Sequence, residues 1–314
     1  MNGLEGKRIP RMLGWSIAYI LILLSTMLPL VNLLTIALVM IPVLVMYVRL
    51  GTKPFVAHYA ISLAVVYLIT SLWLAPWLGV FLVALSVFFL PPVIQMGNLY
   101  KKRATARTVL TAGVVTLLAE LLLSFVVIHL MGLNPVGRMK QFMIESVETL
   151  PPQLQGLMGI DVDELVQIMV QLLPLYMIGF SLFYIIVTHW LARKALVRMG
   201  ESLPAFRAVK DWMLPRSFIW LYLIGLLLEM FVRDSRSVVF SVILNLLPLL
   251  MMAFSVQAIA FLFYVAHIKG WNKTLPIAGI IILLMFPVPA YFLFSLLGVF
   301  DVAFPLRDRL TARK

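Results

Sequence analysis

The 314-residue chain is 63% hydrophobic and 12% charged, against about 45–50% and about 25% in soluble domains. In water that apolar excess would lie on the surface as aggregating patches, so the composition excludes a soluble globule and requires lipid. The +12 formal charge sits in short loops between apolar runs, as orientation by the positive-inside rule demands, so nucleic acid is not an expected partner; the absence of cysteine excludes disulfides, thiolate metal sites and cysteine nucleophiles.

A helix needs about 20 apolar residues to cross a bilayer, because its backbone polar groups must be satisfied within the segment. Nine runs meet or approach this length, near 12–30, 32–48, 55–73, 77–96, 108–131, 164–191, 217–232, 238–266 and 275–299. The expected fold is all-α: a polytopic integral membrane helix bundle of about eight or nine transmembrane helices. It is read as a single membrane domain over 1–314, with a six-helix region at 1–191, a basic cytoplasmic loop at 192–216, and C-terminal helices and tail at 217–314.

The first two runs form one apolar stretch too long for a single crossing, and Pro29 with Asn32 breaks it into a tight helical hairpin. Lys7, Arg8 and Arg11 precede it like a signal-peptide n-region, but no small-x-small cleavage site follows, so the segment is read as a retained anchor. In the fifth run, Glu120 lies mid-span in LLAELLLSF. An ionisable group there is a functional hypothesis by default: a proton carrier, a ligand for a cationic substrate, or a neutral carboxylic acid bonded to a neighbouring helix.

Residues 132–163 are hydrophilic and expected to carry a short amphipathic helix ending at Pro151 and Pro152. Asp161, three residues before Glu164, resembles a capping box that starts the sixth helix outside the hydrocarbon. From there to Leu191 is about 30 residues, or about 45 Å, so that helix should project beyond the membrane. The following basic segment interleaves Arg193, Lys194, Arg198, Arg207, Lys210 and Arg216 with Leu203, Phe206, Val209, Trp212, Met213 and Leu214. This pattern suits a segment at headgroup level, in contact with membrane lipids or a membrane or cytoplasmic protein partner. The candidate docking residues are Arg193, Lys194, Arg198, Arg207, Lys210 and Trp212.

Near the end of the seventh run, Glu229 is placed to pair with Arg233 four residues on. Gln95, Gln171, Asn245 and Gln257 are read as amides that join helices. His58, His129, His189 and His267 fall near segment ends, unlinked by any HxxxH or HExxH pattern, so no metal site or cofactor is expected. No Walker A, GxSxG or GxGD motif occurs, and no nucleophile, base and orienting group converge, so the chain is not read as an enzyme.

With the N-terminus inside, seventeen of the 25 Lys and Arg fall in internal loops and eight outside. The tail, with Arg307, Arg309, Arg313 and Lys314, is the dissenting group, because nine crossings would place it outside. The second run, containing Pro42, and the last, interrupted by Pro287 and Pro289, are the weakest spans; Asp301 and Arg307 are read as tail folding at the interface.

The ending Leu297-Gly298-Val299-Phe300-Asp301-Val302-Ala303-Phe304-Pro305-Leu306-Arg307 resembles the signature of a family of predicted bacterial membrane proteins typified by YybS. Leu203-Pro204-Ala205-Phe206-Arg207 with Trp212-Met213-Leu214-Pro215 is similar to that family's cytoplasmic stretch. Gln257-Ala258-Ile259-Ala260-Phe261 corresponds to a stretch often carrying Gln-Gly. The resemblance implies a bacterial cytoplasmic membrane protein of unestablished function. More remotely, the N-terminal region is similar to substrate-binding subunits of energy-coupling-factor transporters and to MreD. Two functions are therefore weighed: a small-molecule or lipid-binding, transporter-like subunit with Glu120 in its pocket, and a scaffold for cell-envelope or cytoplasmic proteins.

Overall fold

The computed structural model describes residues 9–149, 162–232, 234, 237–304 and 306–312. Lys7, Arg8, the Pro151–Pro152 stop, the Asp161 cap, Arg233 as the partner of Glu229, and Arg313 with Lys314 lie outside them. The described residues are organised as α-helices, five of them long and apolar enough to cross a membrane, with several shorter apolar helices. The chain is a polytopic membrane helix bundle.

Neither of its two compact units is a continuous piece of chain. Unit 1 comprises 1–133 and 177–205, and unit 2 comprises 134–176 and 206–314. In unit 1, α1 (Ile9–Ser25) is followed by α2 (Asn32–Ile36) and α3 (Met40–Arg49). The turn between α1 and α2 holds Pro29 and Leu30, the latter in left-handed conformation at φ 69°. Ser16 on α1 donates to the sulfur of Met46 on α3, so the chain folds α3 back against α1 after the Pro29 break. Next come α4 (Thr52–Trp73), α5 (Pro76–Phe88), α6 (Leu90–Lys101) and α7 (Ala106–Leu130), the last N-capped by the Thr105 hydroxyl, which accepts from the Thr108 N–H.

The projecting sixth helix is broken. It forms α9 (Val162–Gln171) and α10 (Leu173–Arg198), preceded by the amphipathic α8 (Pro135–Glu148). Pro174 has no N–H, and its ring disfavours helical geometry in the residue before it. The freed groups find a substitute in unit 2. Asn245 accepts from the Leu175 N–H at 2.8 Å through Oδ1 and donates to the Gln171 carbonyl at 2.7 Å through Nδ2. One side-chain amide thus replaces a missing helical step, which lipid could not do.

Unit 2 continues with α11 (Ser217–Phe231), α12 (Val238–Lys269), α13 (Thr274–Met285), α14 (Pro287–Ala303) and α15 (Leu306–Ala312). The expected last crossing at 275–299 is corrected here. At 12 residues, α13 is about 18 Å long, too short for a hydrocarbon core of about 30 Å. It leaves α12 through a left-handed Gly270 (φ 67°) and packs Gly279 between Leu262 and Ile259 of α12 and Phe294 of α14. The chain then reverses at Phe286–Pro287, where a non-helical residue meets a proline that fits only a helix's first turn. On the way back, Gly298 lies against the Phe254 backbone and Tyr264 donates to the Arg307 carbonyl at 3.2 Å. The pair α13–α14 is therefore a hairpin that enters and leaves at one end of α12. Arg307 of the tail lies at the same end of α12 as Lys269, Lys273 and the 207–216 loop, so its charge groups with theirs.

Candidate functional site

A buried carboxylate organises the basic end of unit 2. Asp301 follows the Gly298 contact by one helical turn, and its side chain is fully buried. Arg307, placed one short turn beyond α14, grips it with a two-pronged bond: Nε to Oδ1 at 3.0 Å and Nη2 to Oδ2 at 2.7 Å. Gln257 of α12 donates to Oδ2 at 2.5 Å. A buried ion pair is tolerable only when further hydrogen bonds occupy its remaining sites, and this one meets that condition.

The cluster also holds the basic loop. Arg307 Nη1 donates to the Lys210 carbonyl at 2.8 Å, and Gln257 Oε1 accepts from the Leu214 N–H at 3.0 Å. Between them, the Trp212 indole donates to the Arg207 carbonyl at 2.9 Å and meets Phe206 edge-on. The loop is thereby fixed through its backbone while Arg207, Trp212 and Met213 remain exposed. Beneath it, Val209, Lys210, Phe263, Ala266, His267, Trp271 and Lys273 line a cleft of about 430 Å³.

The six candidate docking residues divide between the units. In unit 1, Arg193 is committed to the fold, donating from Nε to the Pro204 carbonyl at 3.1 Å and from Nη2 to the Leu203 carbonyl at 3.3 Å. Lys194 lies over the Trp190 ring at 5.4 Å, and Arg198 is exposed. Arg207, Lys210 and Trp212 belong to the unit 2 loop. Glu120 is half-buried on α7, and its Oε2 is buried with no hydrogen-bond partner. Glu229 lines a separate apolar groove with Leu226, Phe240 and Pro248. Of the histidines, His58 bonds Ser16, His189 bonds Tyr100, and His267 lines the cleft.

Sequence reasoning treated Gln257 as packing and Asp301 with Arg307 as tail folding. What it missed is that they meet. The signal was present, since each of the three stretches carrying the family resemblance contributes a member: 203–215, 257–261 and 297–307. Local sequence cannot show that a hairpin at Phe286 returns the third stretch to the other two.

Fold and composition define a multi-pass helical membrane protein with a clamped basic loop. The chain belongs to the family described as "Predicted membrane protein (DUF2232)", which matches residues 16–302. It is 22% identical over 303 residues to "Uncharacterized protein YybS" of Bacillus subtilis (strain 168), covering 94% of this chain and 95% of that one. No solved structure matches.

Proposed function

We propose that this protein is a non-enzymatic scaffold of the bacterial cytoplasmic membrane, with its N-terminus inside, that docks a cytoplasmic protein through an acidic segment. The carrying observation is the loop's construction: its backbone is tied to Arg307 and Gln257, which Asp301 holds, while Arg207, Trp212 and Met213 remain exposed, the Met213 sulfur accepting from Gln257. Exposed Arg and Trp on a preordered segment are the side chains that dominate protein interfaces, and preorder lowers the entropy lost on binding. Cation excess on that face favours an acidic partner.

The test is crosslinking in intact cells from a photoreactive residue at Met213, with and without Arg207→Glu and Trp212→Ala. A protein captured specifically and lost in both variants supports the reading; capture insensitive to both sinks it. Because the chain contains no cysteine, a single Cys at Arg309 or Ser202 reports sidedness with an impermeant thiol reagent. Labelling of either site from outside intact spheroplasts would overturn the orientation.

A second reading has its own observation, the unpartnered Oε2 of Glu120. An acid so placed on a membrane helix suits a cationic small molecule or a transferable proton in a transporter-like subunit. Co-purification of a small molecule that is lost in Glu120→Gln would favour it.

A further inference from the structure

We infer that the cleft behind the loop is a binding site for the phosphate headgroup of an anionic phospholipid. Its cationic lining comes from two stretches far apart in sequence. Lys210 sits on the short 3-10 turn Val209–Asp211, and Lys273 is the N-cap residue of α13. His267, in the last turn of α12, adds an imidazole, and among the described residues no carboxylate lines the space, Asp211 of the same turn as Lys210 being exposed outside it. Asp301, a buried acid of the same unit, is occupied by Arg307 and Gln257.

Positive-inside orientation alone does not account for this arrangement. That rule needs basic residues in a loop, with no requirement that they face one cavity. Here Arg307 holds the Lys210 carbonyl, which sets the turn carrying Lys210 over the end of α12. On the other side, the left-handed Gly270 lets the chain turn at once, so that Trp271 and Lys273 close the cleft. The first turn of α13 has no side-chain cap, which leaves the Thr274 and Leu275 N–H groups next to Lys273, Pro276 having none, and the helix dipole there favours an anion.

The occupant follows from depth and lining. The cleft lies where the apolar run of α12 ends in His267 and Lys269, the level at which headgroups meet water. Phe263, Ala266 and the exposed Trp271 supply apolar wall for the glycerol and upper acyl region, and the lysines supply point charges for phosphate. A volume of about 430 Å³ admits a headgroup and leaves the acyl chains outside along α12. Lys210 and Lys273 serve this cleft, whereas Arg207 and Trp212 serve the docking face, so the two sites can fail independently.

The experiment is native mass spectrometry of the intact, delipidated protein titrated with phosphatidylglycerol, phosphatidylethanolamine or inorganic phosphate. Lys273 is exposed, so Lys273→Gln is the mild variant, and Lys210→Gln with Lys273→Gln is the stronger one; Arg138→Gln, an exposed cation on α8 away from the cleft, is the control. The expected result is one phosphatidylglycerol retained at least about tenfold better than phosphatidylethanolamine. That preference should fall severalfold in Lys273→Gln, vanish in the double variant and persist in Arg138→Gln. Equal retention of both lipids, or undiminished preference in Lys273→Gln, overturns the site. Lysine-dependent binding of inorganic phosphate without any preference for phosphatidylglycerol overturns the lipid as occupant.

Discussion

The two units solve the same problem, joining helices in a medium without water, with different chemistry. Unit 1 uses neutral groups. The hydroxyls of Tyr19 and Tyr59 both bond Ser86, Tyr47 donates to Asn98 at 2.7 Å, and Tyr100 bonds His189 at 2.6 Å. Its described ion pair, Arg49–Glu201, lies at the helix ends and is partly exposed. Unit 2 has neutral bonds as well, Tyr222 with Ser295 at 3.1 Å among them, but it also buries a full charge, Asp301, and surrounds it with donors. Neutral hydroxyl pairs are enough to fix helix register. A desolvated carboxylate is often no better for stability than apolar packing would be, so its presence points to something that packing could not do. In unit 2 that something is to hold a loop through its carbonyls and amides while leaving the loop's side chains available.

The largest expected effect tests that contrast. Asp301→Ala strands the Arg307 guanidinium, and removing one partner of a buried pair costs about 3–5 kcal/mol. Thermal unfolding in detergent should report it, together with new protease cleavage in 207–216. A double-mutant cycle with Arg307→Met should recover part of the loss, because the double variant leaves no lone charge. If Asp301→Ala unfolds no earlier than the wild type, the clamp is not what holds unit 2 together. Next comes Asn245→Leu, which leaves the Leu175 N–H and the Gln171 carbonyl without their substitutes. Each buried orphan costs about 1–3 kcal/mol, so a midpoint shift should appear here too, without added cleavage in the loop.

Smaller again is Tyr19→Phe in unit 1. Ser86 keeps Tyr59 as a partner, so the loss is confined to neutral bonds, each worth about 1 kcal/mol. A loss as large as that of Asp301→Ala would abolish the distinction between the units.

The bundle was legible in the sequence because hydrophobic length reports crossing directly. The break at Pro29 and the amphipathic helix α8 follow from local rules, and the structure contains both. The last run misled because 25 apolar residues fit one crossing as well as they fit a hairpin. Pro287 marked the weakness, but only the contacts of Gly279 and Gly298 with α12 reveal the reversal. Pro174 similarly signalled a break in the sixth helix, whereas the repair by Asn245, some 70 residues away, is tertiary. At the candidate site the members were visible one by one, and their convergence depended on that same reversal.

The smallest expected effect is that of Glu120→Gln. The amide keeps the shape of the acid, and Oε2 has no hydrogen bond to lose, so the unfolding midpoint should move by no more than about 0.5 kcal/mol equivalent. If unit 2 carries the function, partner capture at Met213 and phosphatidylglycerol retention should also be unchanged, because no residue of the loop or cleft belongs to α7. Substantial destabilisation would mean that the acid has a structural role its unpartnered oxygen does not disclose. Unchanged stability with loss of a co-purified small molecule would move the functional centre to unit 1. The unit 2 clamp would then be a device for folding the tail.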